Sequence, residues 1–161
     1  MSRQILSGIT VLVLFLWYPL PAADLFLGAG GRAGATLSPD QVHVGIHLDM
    51  GEIHERLRFQ PNVEIGFGSD LTLVAINPEV LYLFNPRGRW TPYAGGGLGL
   101  NVFKYDKGKL LVNETEFEVG LNLLAGFETK VTEMSRIFVE GKFGVGDSPD
   151  VKISCGFTFL R

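Results

Sequence analysis

Leu71-Thr72-Leu73-Val74-Ala75-Ile76-Asn77-Pro78-Glu79-Val80-Leu81-Tyr82-Leu83-Phe84 is the stretch whose reading decides the fold class. Its even positions, Val74, Ile76, Val80, Tyr82 and Phe84 among them, are almost all apolar, whereas its odd positions include Ala75, Asn77 and Glu79. A period of two describes a strand with one apolar face. Asn85-Pro86-Arg87-Gly88-Arg89 then supplies a turn, with proline presetting φ and glycine free to take positive φ. A second alternating run, Trp90 to Val102, returns at once. Each arm exceeds the ~9–11 residues that a tilted strand needs to cross a bilayer's apolar layer. Tyr82, Phe84, Trp90 and Tyr93 gather at the turn end, where an interfacial aromatic girdle would lie. The segment is predicted to be one hairpin of a membrane-crossing β-barrel.

The same period recurs on either side. Strands are predicted over residues 24–34, 41–50, 56–67, 71–84, 90–102, 114–128, about 136–143 and 150–160, separated by clusters of Gly, Pro, Asp, Asn and Ser. The predicted fold class is all-β: a closed antiparallel up-and-down transmembrane β-barrel of about eight strands. Pro61 and Pro78 fall inside proposed strands, where each removes a ladder donor, so bulges or pairing gaps are expected there.

The 161 residues suffice for one domain. A net charge of −3 leaves no basic stripe for nucleic-acid phosphates. Residues 1–23 read as a signal peptide: Arg3 precedes an apolar run from Ile9 to Tyr18, Pro19 and Pro21 end it, and Ala22-Ala23 offers a cleavage site. The barrel domain is then 24–161. Cys155 is the only cysteine, which excludes an internal disulfide and reads as a small outward apolar residue.

Alternation alone fits a soluble barrel with an apolar hollow or a membrane barrel with an apolar exterior. The polar face favours the second. It carries Arg32, Arg56, Arg58, Arg136, Lys142 and Lys152 against Asp49, Glu64, Glu79, Glu116, Glu118 and Glu140. A narrow lumen demands such balance, because an unpaired buried charge is costly. Gly28, Gly30, Gly45, Gly66, Gly95, Gly97, Gly99, Gly120, Gly126 and Gly156 share that face and would leave room for long charged side chains.

Phe157-Thr158-Phe159, preceded by Lys152 and Ser154, resembles the C-terminal insertion signal of bacterial outer-membrane proteins, with Ser154 where glycine is usual and Leu160-Arg161 beyond the usual end. Residues 58–68 (RFQPNVEIGFG) and 92–99 (PYAGGGLG) resemble strands of the small outer-membrane barrel domain family, the OmpA/OmpX-like class. The resemblance implies an integral outer-membrane protein in contact with lipid, lipopolysaccharide and the assembly machinery. It does not assign an activity.

Few motifs point to chemistry. Gly28-Ala29-Gly30-Gly31-Arg32-Ala33 matches a dinucleotide-binding pattern, but no helix follows it. His54-Glu55 begins a zinc motif whose second histidine is replaced by Arg58, so no metal site is expected. His43, His47 and Asp49 share one strand face, and His47 could bond Asp49; a barrel-borne enzyme acting on lipid A would use such a set with a serine. The expectation is instead a structural lumen network of Arg32, His43, His47, Asp49, Arg58, Glu64, Glu79, Glu116, Glu118, Arg136, Glu140 and Lys142, with no catalysis and no cofactor. Lys104, Tyr105, Lys107 and Lys109 mark a charged loop that could touch lipopolysaccharide phosphates or a surface partner.

Overall fold

The computed structural model describes residues 26–69, 71–105, 114–146 and 148–161. The proposed leader, 1–23, and most of the lysine-rich loop lie outside them. Among the described residues the chain forms eleven strand segments and no helix: β1 (Gly28–Leu37), β2 (Asp40–Asp49), β3 (Glu52–His54), β4 (Leu57–Phe59), β5 (Asn62–Phe67), β6 (Leu71–Asn77), β7 (Glu79–Leu83), β8 (Thr91–Tyr105), β9 (Glu114–Thr132), β10 (Ser135–Gly146) and β11 (Val151–Leu160). β3 extends β2, while β4 with β5 and β6 with β7 each make one interrupted stave, so eight staves result. Every pairing is antiparallel, and β1 pairs with both β2 and β11, which closes the barrel.

The two interruptions share one level of the wall. Pro61 separates β4 from β5 and Pro78 separates β6 from β7. Because Asn62 faces Asn77 and Phe59 faces Val80, the prolines sit in the same gap between neighbouring staves. Their carbonyls still accept: Leu48 N donates to Pro61 O at 2.9 Å and Leu98 N to Pro78 O at 3.2 Å. One shared gap disturbs the ladder less than two separate ones would.

Several predicted boundaries move. The loop expected over 36–40 shrinks to two residues, since strand pairing runs as far as Leu37↔Asp40. The turn expected over 51–55 folds into the β3–β4 hairpin, with Arg56 at φ 62°. β9 continues past Glu128 to Thr132, held by its pairing with β10 through Thr129↔Ile137, Lys130↔Arg136 and Thr132↔Ser135.

One end of the barrel carries Gly28, Leu160 and the turns at 50–56, 84–90 and 133–134; it is called the terminal end here. The opposite, far end carries the turn at 38–39 and the described connecting residues 68–69 and 148–150. The outer wall is apolar. Ile46 and Phe117, 65% and 66% exposed, are the extremes among some thirty large apolar side chains that face outward in the described residues. Cys155 lies on this wall between Ala33 and Val139. The inner wall holds the buried polar groups and two small apolar clusters, Leu81–Leu83–Tyr93–Leu124–Phe138 and Leu73–Ala75–Phe103. A hydrocarbon-lined hollow, as a soluble ligand-binding barrel would need, is not what this chain builds.

Candidate functional site

The lumen holds the chemistry. Strand alternation sends Gln41, His43, His47 and Asp49 of β2 inward, and the same rule delivers Arg58, Glu64, Glu79, Glu140, Lys142 and Lys152 from the other staves. Glu64 is the hub. Its carboxylate accepts from Arg32 Nη1 at 3.2 Å, Lys142 Nζ at 3.3 Å and Lys152 Nζ at 2.9 Å. Arg32 also reaches Glu140 at 3.2 Å, and Lys142 reaches Glu79 at 2.6 Å. The Arg32 guanidinium lies 5.3 Å from the Phe138 ring centroid, so an aromatic face covers part of its charge.

A second cluster lies nearer the terminal end. Arg58 forks onto Glu128 through bonds of 2.6 and 3.0 Å, a bidentate geometry that fixes both groups. Arg136 joins Glu128 at 3.1 Å and also pairs with Asp49. Asp49 further accepts from Gly51 N at 2.9 Å, which ties this cluster to the turn at 50–56. Across the two clusters, among the described residues, five cations (Arg32, Arg58, Arg136, Lys142, Lys152) meet five anions (Asp49, Glu64, Glu79, Glu128, Glu140). Charge balance offsets part of the desolvation cost of so many buried ions.

Neutral groups complete the filling. Asn122 donates to Asn77 at 3.0 Å, Asn77 to Asn62 at 2.8 Å and Asn62 to Glu79 at 2.7 Å. Gly97 of β8 lies between Glu79 and Asn122 in the sheet, and any Cβ there would come within 2.8 Å of Glu79 Cγ. Glycine at this position is what lets the amide chain pass. Toward the far end, His43 sits between the hydroxyls of Ser154 (2.9 Å) and Thr36 (3.2 Å). His47 meets Thr158 at 2.8 Å and packs edge-on against Phe138. Neither histidine bonds Asp49, although the β2 spacing allows it for His47.

Four expected placements are corrected. Glu116 is exposed and Glu118 only half-buried, because β9 is the longest strand and overshoots the sealed part of the lumen. Arg56 occupies a turn with positive φ and does not enter the lumen. Tyr93 is not in the girdle; its odd position in β8 turns it inward, where its hydroxyl donates to Glu140 at 3.1 Å. Glu128 was the acid overlooked, although continuing the even positions of β9 through Asn122 and Gly126 leads to it. Phe138 is buried, as its parity with Arg136 and Glu140 predicts, whereas the buried Leu81 and Leu124 were not anticipated, since no polarity marks them as inward. Lys104 is exposed at the far end, whereas Lys107, Lys109 and the side chain of Tyr105 lie outside the described residues.

An inward set of paired ions inside an outward apolar wall is the reverse of a water-soluble protein. The fold is that of the small eight-stranded outer-membrane barrels. Neisserial surface protein A superimposes with a TM-score of 0.65 at 19% identity, covering 84% of this chain and 96% of that one. The N-terminal barrel domain of Pseudomonas aeruginosa OprF gives 0.60 at 13% identity, with 86% and 98% covered. A de novo designed transmembrane β-barrel gives 0.58 at 16% identity, with 86% and 97% covered. No family model matches the chain, and no curated protein matches it by sequence. That a designed chain shares this small outer-membrane barrel fold shows how little the fold alone says about activity.

Proposed function

We propose that this chain is an integral protein of the bacterial outer membrane with a structural or surface-interaction role, without catalysis and without a wide pore. The observation that carries the reading is its sidedness: an apolar outer wall surrounds a lumen filled by balanced ion pairs. Lipid tails solvate the first, and cross-linking side chains leave little passage through the second. Export through the 1–23 leader and insertion guided by the Phe157-Thr158-Phe159 end of β11 belong to the same reading. The terminal end then faces the periplasm, and Lys104 with its loop faces lipopolysaccharide. Expressed full-length chain should stay in the membrane pellet through a carbonate wash. Release into the wash would sink the reading.

A lipid A-modifying enzyme is the competing possibility, and the His43–Ser154 contact of 2.9 Å is the one observation in its favour. That contact has the distance of a base beside a nucleophile. Against it, Ser154 and His43 are only 2% and 1% exposed, inside the lumen and behind the wall from any lipid. The second ring nitrogen meets a neutral threonine, not a carboxylate that would stabilise an imidazolium. Lipid A from cells expressing Ser154→Ala or His47→Ala should match lipid A from cells expressing the unaltered chain. A difference would reinstate the enzyme.

A further inference from the structure

We propose that the outer wall at the terminal end binds one anionic phospholipid, with Arg87 on its phosphate and the β7–β9 face along its acyl chain. The proposal rests on the membrane reading above and adds a specific lipid to it. A cleft of about 460 Å³ opens there, lined by Phe84, Asn85, Arg87, Pro92 and Phe127. Its geometry follows from the register. Phe84 N donates to Pro92 O at 2.9 Å, and Pro92 faces Phe127, so two exposed rings flank a flat proline on adjacent staves. Beyond the rings the chain turns, held by the Arg87–Trp90 bridge. The site is therefore apolar on its membrane side and cationic at its lip.

The charge of the lip selects the head group. The turn 85–90 carries Arg87 and Arg89 and no acid. In the neighbouring turn Lys130 has Glu133 at 3.9 Å, but no described acid pairs with Arg87. A guanidinium at the edge of an apolar belt suits a phosphate, and the single positive charge of Arg87 in the cleft lining favours a head group of net negative charge over a zwitterionic one. The far end differs: its exposed described charges are Asp40, Glu116 and Asp150 against Lys104. The terminal end exposes Arg87, Arg89, Lys130 and Arg161 against Glu52, Glu55 and Glu133, and the lip of the cleft itself carries only cations.

The wall continues in line with the lip. A second cleft, of about 430 Å³, lies on the same staves between Val80, Gly96, Leu98 and Leu123. From Pro92 to Leu98 is ~20 Å along β8 at the rise of a strand. That distance accommodates a fatty acyl chain lying along the wall.

Trp90, at the same rim, is a built-in reporter. Full-length chain carrying Trp17→Phe is refolded into phosphatidylcholine vesicles containing a minor fraction of bromo-acyl phosphatidylglycerol, or the same fraction of bromo-acyl phosphatidylcholine. Quenching of Trp90 should report about a fivefold preference for phosphatidylglycerol. Arg87→Gln should abolish the preference, and Arg89→Gln should retain most of it. Equal quenching by the two lipids overturns the site while leaving membrane insertion intact. Equal loss in both arginine variants overturns it too, in favour of diffuse rim charge. Relief of quenching by soluble glycerol phosphate would assign the turn to free phosphate esters and remove the lipid. Absence of quenching even in vesicles made wholly of bromo-acyl phosphatidylcholine would overturn the membrane reading and the site together.

Discussion

The two ends of the lumen are closed by different chemistry. Near the terminal end Arg58, Arg136, Glu128 and Asp49 form a closed quartet with a bidentate fork. Toward the far end several described contacts are neutral and longer, with Thr36–His43 at 3.2 Å, Gln41 to Leu71 O at 3.3 Å and Asn101–Ser148 at 3.4 Å, while Lys152, opposite Thr36, reaches back to Glu64 at 2.9 Å. Charge-assisted bonds are roughly twice as strong as neutral ones. One end is riveted by a closed ionic quartet, and the other is filled mainly by neutral groups around the Lys152–Glu64 pair. The far end should therefore loosen first, and the residues nearest the proposed cell surface have the lowest cost of rearrangement.

Substitutions can break or sharpen that contrast. The largest effect is expected at the hub between the two ends. Glu64→Ala leaves Arg32, Lys142 and Lys152 short of a buried partner, at a cost of about 3–5 kcal/mol in urea unfolding from vesicles. Glu128→Ala, at the riveted end, removes the partner shared by Arg58 and Arg136 and should cost about 3 kcal/mol. Ser154→Ala, at the filled end, takes one of two hydroxyls from His43 and should cost about 1 kcal/mol. If Ser154→Ala proves as damaging as Glu128→Ala, the contrast between the ends is wrong. Lys104→Ala, exposed at the far rim, should leave unfolding unchanged while reducing binding of the purified protein to lipopolysaccharide. Hydrogen exchange supplies an independent view, with β1 and β2 amides near residue 37 exchanging before those near residue 49.

Much of this was legible in the sequence, and the reason is geometric. A strand offers two faces, so one correct residue fixes the side of all its neighbours; Val42, Val44, Ile46 and Leu48 outside place His43, His47 and Asp49 inside. Depth along the axis is not encoded in that alternation. Glu116 and Glu118 share the inward parity of Asn122 and Glu128, yet strand length and stagger lift them toward or past the rim. Partner choice was equally hidden. Glu64 and Lys152 are 88 residues apart and meet only because closure brings β5 and β11 onto one lumen. Apolar residues on the inner wall, such as Leu81 and Phe138, are placed there by strand parity alone and not by their own polarity.

Cys155 gives the outer wall one more use. Its sulfur faces outward midway along the closing strand β11, flanked by Ala33 and Val139. A water-soluble reagent reaches a thiol only where water does, and the apolar layer of a bilayer holds almost none. A water-soluble maleimide should thus label the unfolded chain quickly and the inserted barrel hardly at all. The lone sulfhydryl becomes a stopwatch for barrel closure, readable by gel shift without adding any foreign probe to the chain.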